Sequence, residues 1–146
     1  MKYTFTLFLF SLFTAFFSCK KDNSIPKPQV ADTEFTMYDL RASNDTVIFE
    51  VNYPSTLLLK SDYTWTIDLG GTLSHGTYTW TPTSNQQAEI KFTITQWTDF
   101  STNQILSDKL KSVLQTVDNC GFSLQNPSFL NFLDKNYVSF LRTNRK

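Results

Sequence analysis

The feature that most constrains the fold is an alternating segment on both sides of the pair Gly70-Gly71. Successive side chains of a β-strand point to opposite faces, so an apolar residue at every second position predicts a half-buried strand. The two glycines supply the positive φ angles that a tight hairpin turn needs, and Pro82 ends the second run because it has no N–H to donate. The segment therefore predicts an antiparallel hairpin. Its apolar face is formed by Tyr63, Trp65, Ile67 and Leu69 before the turn and by Gly76, Tyr78 and Trp80 after it.

The same period of two recurs along much of the chain from Glu34 onward. The most regular run, AEIKFTITQW, spans Ala88–Trp97, and VIFEVNY spans Val47–Tyr53. Weaker strands are predicted at Glu34–Leu40 and Ser55–Lys60. Several short strands separated by turn residues are typical of an all-β, mainly antiparallel protein.

The period changes to helical spacing in the segment ILSDKLKSVLQTV, residues 105–117. Apolar side chains that recur every three or four residues share one face of a helix, and the polar residues between them face away. The spacing predicts one short amphipathic helix that lies over the sheet or plugs one end of a barrel, with Ser107 or an earlier hydroxyl as its N-cap. The apolar positions are Ile105 or Leu106, Leu110, Val113 or Leu114, and Val117.

The stretch after the helix fits two structures. Asn126-Pro127 is typical of a helix cap followed by proline in the first turn, and the apolar pairs of residues 127–142 also fit a helical face. However, Asp134-Lys135-Asn136 is a turn sequence, and FLNFL (129–133) and YVSFL (137–141) each have the length of a hairpin strand. The hairpin is the favoured prediction.

Residues 1–18, MKYTFTLFLFSLFTAFFS, have the three parts of a secretory signal peptide. Lys2 provides the basic start, an apolar core follows, and Ser18 is a small residue at the exit. An uncleaved membrane anchor is the alternative. A spanning helix needs roughly 20 apolar residues, whereas residues 3–17 are fewer and are interrupted by threonine and serine.

The junction Ser18-Cys19 resembles the lipobox of bacterial lipoproteins, and the following CKKD resembles the mature start of Bacteroidota-type envelope lipoproteins. This resemblance implies that Cys19 carries the lipid anchor, and Lys20 after it implies the outer membrane, on its periplasmic or its surface face. Residues 19–33 would form an extended linker, since Pro26 and Pro28 favour a solvated spacer. Residues 34–146 would form a single domain.

The predicted strands and the late helix resemble the small lipocalin-like and META-like β-barrel domains of bacterial envelope lipoproteins. The resemblance lies in LLLKSDYTWTIDLGGTLSHGTYTW, AEIKFTI, DKLKSVLQTV and the final strand pair, and covers roughly residues 55–142. It implies a small barrel with one short amphipathic helix. The inward aromatic residues favour an interior filled with side chains over an open ligand cavity. These residues are Tyr63, Trp65, Tyr78, Trp80 and Phe92.

Charge and cysteine content narrow the possible partners. The chain has 13 Lys plus Arg and 13 Asp plus Glu, so it lacks the basic surface that nucleic-acid binding needs. If Cys19 is lipidated, Cys120 is the only other cysteine, and no intramolecular disulfide can form. Cys120 is predicted to be a small buried residue beside a turn at Asn119 and Gly121.

No sequence motif indicates catalysis, a metal or a cofactor. His75 is the single histidine, and a catalytic pair with Ser74 would also need a carboxylate and an oxyanion hole. The carboxylates Glu50, Asp68 and Glu89 lie opposite the apolar faces of their strands, which favours solvated charges over a glycosidase pair. We therefore expect a non-enzymatic envelope protein that binds an apolar or carbohydrate-like ligand or an envelope protein. A small hydrolase is the alternative.

Trp97 is the predicted contact residue. An unbroken strand places Trp97 on the polar face of Lys91 and Thr95, where an exposed indole is suited to stack on a sugar or a partner's side chain. The alternative is that the strand ends near Gln96 and that Trp97 turns back beneath the helix around Leu110 and Leu114.

Overall fold

The computed structural model describes residues 27–42, 47–50, 55–125, 128–133 and 136–142. These ranges contain nine strands and one helix. The elements are β1 (Thr33–Ala42), β2 (Val47–Glu50), β3 (Ser55–Leu59), β4 (Thr64–Leu69), β5 (Thr72–Ser84), β6 (Gln87–Gln96), α1 (Gln104–Thr116), β7 (Asn119–Ser123), β8 (Phe129–Phe132) and β9 (Asn136–Arg142).

All strands pair antiparallel in one sheet, and neighbours in the sheet follow the chain almost in order. β3 pairs with the first half of β1, and β2 pairs with its second half. A further ladder between β1 and β9, in which Leu40 faces Val138, joins the two ends of the sheet. This ladder makes the sheet a barrel, and it confirms the predicted antiparallel all-β barrel with one short helix.

The glycine hairpin forms as the alternation predicts. Gly70 and Gly71 have φ angles of 60° and 90°, and Asp68 Oδ1 accepts a hydrogen bond from the Gly71 amide at 2.6 Å. β4 and β5 then pair with Leu69 opposite Thr72 and Trp65 opposite Gly76. The apolar face of this hairpin lines the barrel interior.

The interior is filled by aromatic side chains, as their number in the sequence predicts. Phe92 lies between the rings of Trp65, Tyr78 and Phe132, with centroid distances of 5.8, 6.3 and 5.5 Å. Trp65 is fully buried, and Tyr78 and Phe92 are nearly so. Contacts of this kind connect β4, β5, β6 and β8 through the core.

Helix α1 covers a gap beside β6. β6 pairs with β7 only from Gln87 to Glu89, and α1 packs against β6 and β9 with Leu106, Leu110 and Leu114 buried. The predicted helix is confirmed, but the predicted cap Ser107 is wrong. The N-cap is Asn103, whose Oδ1 accepts the Leu106 amide hydrogen at 3.0 Å, and Ser107 lies buried within the helix.

The last part of the chain contains one more strand than the sequence predicts. Asn119 and Gly121, predicted as a turn, belong to β7, where Cys120 pairs with Ala88 on one side and Phe132 on the other. Cys120 is fully buried and free, as predicted. The predicted final hairpin is confirmed by the pairing of β8 with β9. Its turn residues 134 and 135 lie outside the described residues.

A short N-terminal turn, Lys27–Asp32, closes one end of the barrel. Val30 is fully buried in the core, and the Asp32 amide donates a hydrogen bond to Leu59 O at 2.6 Å. Pro28–Thr33 therefore belong to the domain and are not part of a solvated spacer, because Val30 fills a site in the core. Residues 1–26, which include the predicted signal and Cys19, lie outside the described residues.

Candidate functional site

A depression of about 410 Å³ lies on the outer face of β4, β5 and β6, and we call it the threonine groove. The alternation of these strands turns threonines outward, and the sheet register places Thr64 opposite Thr77 and Thr66 opposite His75. Hydroxyl groups from neighbouring strands therefore share one rigid surface. The lining residues are Lys60, Thr64, Trp65, Thr66, Leu73, His75, Gly76, Thr77 and Thr95.

A β-bulge shapes the floor of the threonine groove. Gly76 pairs with Ile94 and His75 with Gln96, so Thr95 is an extra residue in β6. A Cβ atom at Gly76 would overlap Thr93 O and would lie 2.9 Å from Trp65 Nε1. Trp65 Nε1 donates a hydrogen bond to Thr77 O at 3.0 Å, which fixes the indole beneath the groove. The close approach of β5 and β6 therefore requires glycine at this position.

The chemistry of the groove is hydroxylic and weakly basic. Leu73 is 53% exposed and gives the groove one apolar surface, while Lys60 and His75 are its basic side chains. None of the lining residues carries a carboxylate. The groove can hydrogen-bond a hydroxylated ligand, cover an apolar part of it, and attract an acidic group on it.

The structure does not bring Ser74 and His75 together. These consecutive strand residues face opposite sides of the sheet, with Ser74 buried and His75 exposed. Ser74 Oγ accepts the Thr98 amide hydrogen at 3.0 Å and donates to Thr98 O at 3.5 Å. Ser74 thus ties the segment that follows β6 to β5.

The carboxylates singled out in the sequence are dispersed. Asp68 holds the glycine hairpin, and Glu89 is exposed on β6. The side chain of Glu50 lies outside the described residues. Within the described ranges, no group of three or more His, Cys, Asp or Glu side chains could hold a metal ion.

Trp97 adopts the second of the two predicted geometries. β6 ends at Gln96, and Trp97 is half-buried against the core, so the exposed position predicted from an unbroken strand is wrong. The indole turns toward α1 and donates a hydrogen bond to Ser107 Oγ at 3.1 Å. Ser107 lies nearer the start of the helix than the predicted Leu110 and Leu114. A contact of Trp97 with a ligand or partner stays a prediction.

A second, smaller depression of about 200 Å³ lies at the end of the barrel that the N-terminal turn closes, and we call it the end pocket. Three segments far apart in the sequence form it: the N-terminal turn, the β5–β6 turn and the end of β7 with the residues after it. Its lining residues are Gln29, Asn85, Gln86, Phe122, Ser123, Leu124 and Gln125. The sequence alone does not predict this site, because only the fold brings these amide side chains together.

Trp80 lies next to the end pocket with an unsatisfied donor. Its ring centroid is 5.1 Å from that of Phe122, which lines the pocket. Trp80 is 9% exposed, and its buried Nε1 has no hydrogen-bond partner among the described residues. A buried donor without an acceptor costs about 1–3 kcal/mol, so this N–H is an unusual feature of a filled core.

Burial changes the ionisation of two groups in the barrel. It raises the pKa of the Cys120 thiol to about 12, an effect that the hydrogen bond of Ala88 only partly offsets. It also raises the pKa of Tyr78 well above its ordinary value, with a smaller contribution from Tyr63. Tyr78 Oη donates to Lys60 O at 2.8 Å and so supports the turn before β4. Both groups are therefore neutral near pH 7.

The structure is a small antiparallel β-barrel with one short helix. Solved structures of similar fold are known for other proteins. No family model matches the chain. No curated protein matches it either. Within the described residues, no helix has the length and apolar character needed to cross a bilayer.

Two solved structures are similar in fold. An NMR structure of a protein from Burkholderia xenovorans has a TM-score of 0.61 and 16% identity, and the match covers 86% of this chain and 97% of that one. The crystal structure of a DUF4847 family protein from Bacteroides vulgatus ATCC 8482 has a TM-score of 0.58 and 10% identity, and the match covers 81% and 97%. At these identities the likeness shows the fold alone.

Proposed function

We propose that this chain is a lipid-anchored, non-enzymatic binding protein of the cell envelope, with a barrel of the lipocalin-like or META-like type. Residues 1–18 are its signal peptide, and Cys19 anchors it in the outer membrane. The observation that carries the proposal is the threonine groove, a rigid surface of hydroxyl groups on a barrel whose interior is filled. Its ligand is carbohydrate-like and carries an acidic group.

The lining of the groove supports this ligand class over an apolar ligand or a protein partner. Threonine hydroxyls both donate and accept hydrogen bonds, as the hydroxyls of a sugar require. Leu73 can cover the apolar side of a sugar ring, and Lys60 and His75 can pair with a carboxylate or phosphate. Because the strands hold these groups in fixed positions, little conformational entropy is lost on binding.

A calorimetric titration of the purified full-length protein tests the groove. We expect digalacturonate, an acidic disaccharide, to bind more tightly than the neutral disaccharide lactose. Replacing both Lys60 and His75 with Gln should weaken digalacturonate binding by about tenfold or more, since a hydrogen bond to a charged group contributes about 1.5–3 kcal/mol. Lys91→Gln, on the same sheet but outside the groove, should leave the affinity unchanged.

Equal binding of the two disaccharides, or equal losses in the groove and control variants, would contradict this assignment. The alternative class, a small hydrolase, is tested in the same experiment. Chromatography of the titrated sample detects any cleavage of digalacturonate. Cleavage would show that the protein is a hydrolase and not a binding protein.

The anchor is tested separately by mass spectrometry of the membrane fraction. Cys19→Ala should leave an unlipidated precursor, because Cys19 offers the thiol that receives the diacylglycerol. Cys120→Ala is the matched control and should keep the full acyl mass, since Cys120 is buried in the barrel. Retention of the acyl mass in Cys19→Ala, or a mature terminus beyond residue 19, would exclude the lipoprotein assignment.

A further inference from the structure

The row of outward threonines on β5 extends beyond the threonine groove. Thr77 lines the groove, and Thr79 and Thr81 follow it at alternate positions on the same face, all three exposed. On β6, the exposed Thr93 lies opposite Thr77. Because a strand rises about 3.3 Å per residue, Thr79 and Thr81 continue the hydroxyl surface of the groove by roughly 13 Å. The surface that can hydrogen-bond a sugar is therefore longer than the groove itself.

Charged side chains favour one direction along this surface for an acidic ligand. Lys91 is exposed on β6 and lies opposite Thr79. Asp62 lies on the β4 side, where its Oδ1 accepts hydrogen bonds from the Thr64 amide at 3.0 Å and the Thr64 hydroxyl at 2.6 Å. An acidic chain that leaves the groove along β5 is therefore attracted toward β6 and repelled from the turn before β4.

Two carboxylates bound the surface along the strands. Asp68 lies opposite Leu73 at the hairpin end, and the exposed Glu89 lies opposite Thr81 at the other end. At about 3.3 Å per residue, these two rows are roughly 26 Å apart along β5. Acidic groups on a ligand are favoured between these two rows and disfavoured beside either carboxylate. The site for an acidic chain thus extends from the groove to Lys91 and ends before Glu89.

The volume of the groove limits how much of such a chain it can hold. Its volume of about 410 Å³ equals that of roughly 14 water molecules in the liquid, at about 30 Å³ each. Two sugar rings with their hydroxyls fill a space of this size. The rings that follow in a longer chain must lie on the neighbouring surface of β5 and β6.

We infer that the threonine groove is one end of a longer site, and that its ligand is a linear acidic glycan of more than two rings. The groove holds two rings, with one acidic group near Lys60 and His75. The chain continues over Thr79, where a second acidic group pairs with Lys91. This inference rests on the function proposed for the groove and adds the length and charge spacing of the ligand.

Calorimetric titration of the purified full-length protein with digalacturonate and tetragalacturonate tests the inference. Tetragalacturonate should bind more tightly than digalacturonate. Because a longer chain also offers the groove more than one disaccharide unit, the variant Lys91→Gln separates this statistical gain from a new contact. Lys91→Gln should weaken tetragalacturonate binding by about three- to fivefold, as expected for an exposed ion pair, and leave digalacturonate binding unchanged.

Two further variants test the charge and the end of the site. Lys109→Gln removes the same charge from an exposed position on α1 and should leave both affinities unchanged. Glu89→Gln removes the carboxylate that bounds the site. Hexagalacturonate should therefore bind Glu89→Gln about threefold more tightly than the parent protein, while digalacturonate binds both equally.

The outcomes distinguish the longer site from the groove itself. The longer site is overturned if tetragalacturonate binds Lys91→Gln as tightly as the parent, or if Lys109→Gln weakens its binding equally. It is also overturned if Lys91→Gln weakens digalacturonate binding as much as tetragalacturonate binding. In each case the function proposed for the groove still holds, provided that digalacturonate binding depends on Lys60 and His75. If neither oligosaccharide binds, both proposals fail.

Discussion

Ser107 organises the connection between the barrel and its helix. Its Oγ accepts hydrogen bonds from Trp97 Nε1 and from the Phe100 amide at 3.2 Å, and it donates to Asp99 Oδ1 at 3.4 Å. The side chain is fully buried in a helix that otherwise presents apolar residues to the core. The Ser107 hydroxyl therefore holds the segment between β6 and α1 against the start of the helix.

Removal of this hydroxyl should destabilise the protein measurably. Ser107→Ala removes the acceptor of the Trp97 indole N–H and one hydrogen bond of the Phe100 amide, which should cost about 1–3 kcal/mol. Ser112→Ala, at an exposed position of the same helix, should stay within about 0.5 kcal/mol of the parent. Urea unfolding followed by tryptophan fluorescence measures both, and equal midpoints for the two variants would show that Ser107 has no such role.

Residue patterns predicted some positions and missed others for identifiable reasons. The inward positions of Trp65, Tyr78 and Phe92 follow from alternation alone. Trp97 does not, because its orientation depends on where the β6 ladder ends and on a hydrogen bond to a helix residue. The unsatisfied N–H of Trp80 had no signal in the sequence, since it depends on which acceptors the fold brings near.

The pairing of β5 with β6 at the bulge depends on the absence of a side chain at Gly76. At the bulge the backbone of β6 approaches Gly76 so closely that a Cβ would meet Thr93 O. The alternating pattern predicts both strands but not this contact, because Gly76 merely occupies one inward position of the pattern. β7 was missed for a related reason, since NCGFS contains a glycine and few residues that favour strands.

Gly76→Ala should therefore be among the most damaging small substitutions in the barrel. The added Cβ would overlap a backbone oxygen, which cannot move away as a flexible side chain could. We therefore expect the free energy of unfolding to fall by about 3 kcal/mol or more. Gly121→Ala is the matched control, because the nearest atom to its Cβ would be Gln86 O at 3.8 Å, an ordinary contact. Thermal unfolding compares the two; similar melting temperatures would argue against the close approach of β5 and β6.

For the whole molecule, the buried neutral groups set an alkaline limit to stability. The pKa values of Cys120 and Tyr78 are higher in the folded state than their ordinary values of 9.0 and 10.0. The stability that the neutral forms of these two groups contribute is fully present at pH values below their ordinary pKa values. This stability is lost as the pH rises toward their pKa values in the folded state. The free energy of unfolding should fall above pH 9 by at most about 1.4 kcal/mol per pH unit for each group.

Cys120→Ala should make this fall shallower between pH 9 and 12, even if the variant is less stable at neutral pH because of its lost packing. Urea unfolding at a series of pH values measures the slope for the parent and the variant. Identical slopes would mean that the buried thiol does not take part in the alkaline transition.

The position of the N-terminal turn also limits how far the barrel can lie from a bilayer. It closes the end that holds the end pocket, and the hairpin at Gly70-Gly71 lies at the opposite end of β4 and β5. Seven residues lie between Cys19 and Lys27, and the eight Cα-to-Cα steps of a fully extended chain span at most about 29 Å. With Cys19 as the proposed anchor, this length keeps the end of the barrel that holds the end pocket near the membrane surface.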